Sequence, residues 1–108
     1  MGLPKLVRDK IPEIIRTTDN KVPITRILNE EEYKIELLKK LQEEAKEVAE
    51  SEAGEHRLEE LSDILELIKA IAALDDASLE DIESLRDKKA EERGGFEKKI
   101  FLEEIKND

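Results

Sequence analysis

The chain has no cysteine, which excludes a disulfide framework and any thiolate nucleophile or ligand. Tryptophan is absent as well. One tyrosine and two phenylalanines leave little aromatic bulk for a monomeric core or for stacking on a base, and Tyr33 and Phe96 suit either use. No apolar run approaches the roughly 20 residues that span a bilayer. No secretory leader is recognisable at the start, so a cytoplasmic protein is the expectation. Basic residues are outnumbered, 19 against 29 acids, and the net charge of −10 argues against a general nucleic-acid binder or a protein that docks on anionic membranes. The only histidine, His56, stands near the start of a helical stretch with no nucleophile beside it, so no Ser-His or Cys-His arrangement exists. Glutamine is scarce and 44% of the residues are charged, a balance that leans toward thermophile proteins.

What is present is a set of acids placed on two neighbouring helical patterns. At 108 residues the chain is expected to form one domain, 1–108, around a single helical core. Stepping about 100° per residue along 30–50 puts Tyr33, Leu37, Leu41 and Val48 in one stripe. Glu44 falls inside that stripe and Glu47 at its edge, while Glu43 points further round as a solvated or supporting acid. The second pattern, 56–74, is apolar almost all round, which predicts a central helix covered on more than one side. Glu60 and Asp63 line up there with Ile64, Leu67, Ile71 and Leu74.

An E-E-x-x-E run alone, in so acidic a chain, reads as a solvated face. The pairing with E-x-x-D across a short hairpin changes that reading, because ionised carboxylates that enter a core need a compensating cation. With the two helices antiparallel, Glu44, Glu47, Glu60 and Asp63 converge, and their hard oxygens favour Mg²⁺, with Mn²⁺ as the alternative. Mg²⁺ usually shares its sphere with phosphate oxygens, so a phosphate ester is the implied substrate.

The rest of the chain supplies boundaries and positive charge. A short helix is expected over 10–18 with Pro12 in its first turn, and Asn29 is the expected cap of the long acidic helix. Ser78, with Asp81 three residues on, predicts a capping box for a helix that Gly94 and Gly95 end. Residues 22–28 have the branched character of a strand, and the apolar tail 98–105 is expected either to pair with them as a small two-stranded ribbon or to dock on a second subunit. So thin a chain predicts a homo-oligomer, a dimer or tetramer. Lys5, Arg8 and Lys10 near the N-terminus, and Lys89 and Arg93 one turn apart on the last helix, are the candidate phosphate-binding residues.

Taken with the opening Lys5-Leu6-Val7-Arg8-Asp9-Lys10-Ile11-Pro12 and the closing Glu92-Arg93-Gly94-Gly95-Phe96, the acid pattern resembles the MazG-like all-α nucleoside triphosphate pyrophosphohydrolases, in their phosphoribosyl-ATP pyrophosphohydrolase-like branch. The resemblance spans nearly the whole chain. It implies an all-α helical bundle and Mg²⁺-dependent cleavage of a nucleoside triphosphate between the α and β phosphates, with Glu43, Glu44 and Glu47 in the catalytic acid run. It implies nucleotide-pool house-cleaning as the setting, and a homo-oligomer. Phosphoribosyl-ATP hydrolysis in histidine biosynthesis is the alternative substrate reading, and a non-catalytic acidic oligomerisation module is the alternative class.

Overall fold

Asn29 fixes where the longest helix begins. Its side chain accepts from the Glu32 backbone N–H at 2.9 Å, and the Glu32 carboxylate accepts from the Asn29 N–H at 3.3 Å, so two otherwise unpaired donors are satisfied reciprocally. The computed structural model describes residues 2–107, and the four helices among them are α1 (Ile11–Thr18), α2 (Glu30–Glu50), α3 (Glu55–Leu74) and α4 (Leu79–Arg93). Ser78 and Asp81 form the expected second capping box. Gly94 ends α4 at φ +82°, a conformation that favours glycine.

The centre of the molecule is the hairpin of α2 and α3, joined by the four-residue connection Ser51–Gly54. Gly54 takes φ +103° at the entry to α3, where a side chain would be strained. The segment preceding α1 and the first residue of that helix lie against one face of this hairpin, with Val7, Arg8 and Ile11 beside Lys40, Glu44 and Leu67. Of the two hairpin helices, α4 touches only α3. The protein is therefore all-α, a helical bundle built on one hairpin.

Two expectations are corrected. No ribbon forms between 22–28 and 98–105: neither segment is a strand, and Ile24, Ile27 and Phe101 stand 96%, 95% and 87% exposed. A lone two-stranded ribbon is marginal in water even when its strands meet, and branched residues alone do not supply a partner. Nor is α3 covered all round within one chain. Leu67 and Ala72 are buried, but Leu58, Leu61 and Leu65 are exposed. Leu37 completes the buried apolar set among the described residues, which is small for a chain of this length.

Candidate metal centre

The hairpin brings three of the four expected carboxylates together. Glu44 and Glu47, three residues apart on α2, project from one face, and Glu60 meets them from the first turns of α3. One oxygen from each lies within 4.8 Å of the other two, and all three side chains are half-buried. Glu44 Oε2 and Glu60 Oε2 are shut off from solvent with no hydrogen-bond partner. Two such oxygens without a donor are costly to keep. Ligand oxygens around a six-coordinate Mg²⁺ sit about 3–4 Å apart, given bonds of about 2.1 Å. The donor set therefore fits a hard divalent cation after small side-chain adjustment.

Asp63 departs from the expected arrangement. It is close enough to act on Glu44 electrostatically, yet its Oδ1 accepts from Arg8 Nη2 at 2.6 Å. The guanidinium neutralises the fourth acid locally. Both partners are about half exposed, so the pair positions the N-terminal segment more than it stabilises the fold.

The remaining candidates separate by position. Arg8 and Lys5 join Lys40, Glu44, Asp63 and Glu66 around a hollow of about 270 Å³, floored by Val7, Ile11 and Leu67. Glu43 faces away from the cluster and lines a smaller hollow of about 140 Å³ under residues 2–6, beside Glu36, Lys39 and Lys40. Lys10 is exposed at the start of α1, and Lys89 and Arg93 are exposed on α4, all three lining neither hollow. Sequence reasoning missed Lys40. It is half-buried, borders both hollows and makes no ion pair among the described residues. Its place four residues before Glu44, one helical turn away on the same face, is the signal that would have found it.

Crowding these acids has a measurable consequence. Burial first, then side-chain hydrogen bonding with Glu60, then the charges of Glu47, Glu60 and Asp63 push Glu44 from 4.5 up to about 7. Between these two values the folded chain keeps a proton that the unfolded chain has released, so metal-free stability falls as pH rises through that window. Glu32, held low by Arg26 and the Asn29 backbone, and Asp81, held low by Ser78, act in the opposite sense at lower pH. In chelator, Tm is expected to peak near pH 5 and to decline toward pH 8. A Tm that rises or stays level over that range would show that the three glutamates do not feel one another.

Comparison with models of known families gives no match, and no curated protein or solved structure matches the chain. Among the described residues no helix is long and apolar enough to cross a membrane.

Proposed function

We propose that this protein is a Mg²⁺-dependent nucleoside triphosphate pyrophosphohydrolase of the MazG-like kind, which hydrolyses the α–β anhydride to a nucleoside monophosphate and pyrophosphate. The observation that carries the reading is the convergence of Glu44, Glu47 and Glu60, two of their oxygens buried without a donor, beside a hollow rimmed by Lys5, Arg8 and Lys40. A chain of net charge −10 needs such local cations to accept a polyanion at all.

Glu44, Glu47 and Glu60 would hold the ion, with Asp63 joining if Arg8 turns away from it. When bound, Mg²⁺ supplies neutralisation of phosphate charge and acidity for a water molecule. Lys5 and Lys40 border the space where a triphosphate tail would lie, and their ammonium groups would stabilise charge on the departing pyrophosphate. Arg8, with its planar fork of donors, suits a terminal phosphate better than a single carboxylate oxygen. One of the clustered carboxylates would take the proton from the attacking water. Val7, Ile11 and Leu67 give the hollow an apolar floor on which a base or sugar could rest.

The test is pyrophosphate release from a panel of standard and damaged nucleoside triphosphates plus phosphoribosyl-ATP, each with Mg²⁺ and with chelator. Turnover that requires the metal is expected on at least one member. Preferred turnover of phosphoribosyl-ATP would move the assignment to histidine biosynthesis, whereas turnover of damaged triphosphates would favour house-cleaning. The Arg8–Asp63 pair supports a second reading, in which the acids serve only as ion-pair partners in an oligomerising module. Under that reading, no substrate turns over and divalent metal leaves Tm where it was.

A further inference from the structure

Arg8 and Asp63 suit different halves of the candidate site, yet they are spent on each other. Asp63 stands one turn after Glu60 on α3, on the face from which that glutamate meets Glu44 and Glu47. Arg8 lines the larger hollow with Lys5 and Lys40. One N–H of its five-donor fork, on Nη2, donates to Asp63 Oδ1 at 2.6 Å, so an acid and a cation are neutralised together. The other two cations of the hollow differ. Lys5 and Lys40 make no ion pair among the described residues, so they can meet an anion without releasing an acid.

The backbone around Arg8 is held while its side chain is not. Leu6 and Val7 before it and Ile11 after it are half-buried, and the Ile11 N–H donates to the Arg8 carbonyl at 3.1 Å. The Arg8 side chain is 55% exposed. It can therefore turn about a fixed pivot, from Asp63 to the open hollow, without any change in the fold. An exposed pair of this kind is weak by itself, so a ligand for either partner is enough to part it.

We infer that the Arg8–Asp63 pair is a two-way switch that makes a divalent cation and a phosphate bind cooperatively. Asp63, turned toward a cation, leaves Arg8 free for phosphate, and Arg8, turned toward a phosphate, leaves Asp63 free for the cation. The inference rests on the proposed metal and phosphate reading and adds how the two ligands assist each other. With neither ligand bound, the site has neither a free fourth carboxylate nor a free guanidinium. The assistance is reciprocal: the factor by which the cation tightens the anion is the factor by which the anion tightens the cation.

Isothermal titration calorimetry on the full chain tests both directions in wild type, Arg8→Gln, Asp63→Asn and the double variant, a cycle that isolates the pair from its surroundings. Mg²⁺ is titrated without anion, and pyrophosphate is titrated in chelator. Arg8→Gln should tighten Mg²⁺ about two- to fivefold, the range that an exposed ion pair can withhold, and the gain should vanish in the Asp63→Asn background. Asp63→Asn should tighten pyrophosphate by a similar factor, and that gain should vanish in the Arg8→Gln background. Lys40→Gln, which releases no acid, should weaken pyrophosphate and leave both cycles as they were. If the two residues act only through their charge, each gain persists in the other's background, and that result overturns the switch. So does an Arg8→Gln protein that binds Mg²⁺ no better than wild type. A ligand that binds none of the four proteins removes the switch along with that half of the site reading. Cycles that behave as expected in a protein that turns over no nucleotide leave the switch standing and remove the hydrolase reading alone.

Discussion

Glu44→Gln is expected to cut pyrophosphate release on the order of 10²–10³-fold, the scale on which removal of one group that manages transition-state charge is felt. The same change should make the metal-free protein more stable at pH 8, because a neutral amide cannot repel Glu47 and Glu60. Relief of about 1 kcal/mol would raise Tm by about 4–8 °C in a domain of this size. At pH 5 wild-type Glu44 already carries a proton, so the gain should disappear there. Metal-induced stabilisation should be lost in the variant at both pH values, while Glu59→Gln on the neighbouring exposed turn changes nothing. Loss of activity together with loss of metal-free stability at pH 8 would contradict this account, since it would make Glu44 a structural residue.

Leu37→Ala should lower Tm by more than about 10 °C, from a cost of about 2–5 kcal/mol for emptying a buried leucine site. Leu37 is 3% exposed and, with Leu67 and Ala72, forms the buried apolar set. In so small a core there is little to collapse into the space left behind. Leu102→Ala, at a residue 72% exposed, should stay within about 0.5 kcal/mol of the native protein. Similar losses from the two variants would mean that the α2–α3 contact is not what holds the fold.

The parts of this structure that could be read from sequence are those set by local chemistry. Asn29 with Glu32, and Ser78 with Asp81, mark helix starts because short side chains meet specific backbone donors within one turn. The stripe of Leu37, Leu41, Glu44 and Val48 marks a buried face because helical period decides it. What could not be read depends on partners distant in sequence. Nothing within a few residues of Asp63 says that Arg8, 55 positions earlier, will bind it. The 22–28 and 98–105 segments have strand-like residues, but pairing requires that two remote segments meet, and they do not. The all-round apolar pattern of α3 predicts cover on more than one side, yet Leu58, Leu61 and Leu65 stay exposed because no other element of the chain reaches them. Lys40 is legible by its spacing from Glu44, yet a lysine near glutamates reads most simply as a surface pair.

The turn Ser51–Gly54 sits beside the carboxylates, between Glu47 on one side and Glu60 on the other. A cation that joins those two residues closes a loop containing the turn, and ends already held close by the hairpin cost little entropy to join. Without the cation, the same charges press the two helix ends apart at the non-helical turn that joins them. If the proposed Mg²⁺ site is right, susceptibility to proteolytic nicking at this turn should follow magnesium availability, and the lifetime of the chain in a cell would depend on that ion.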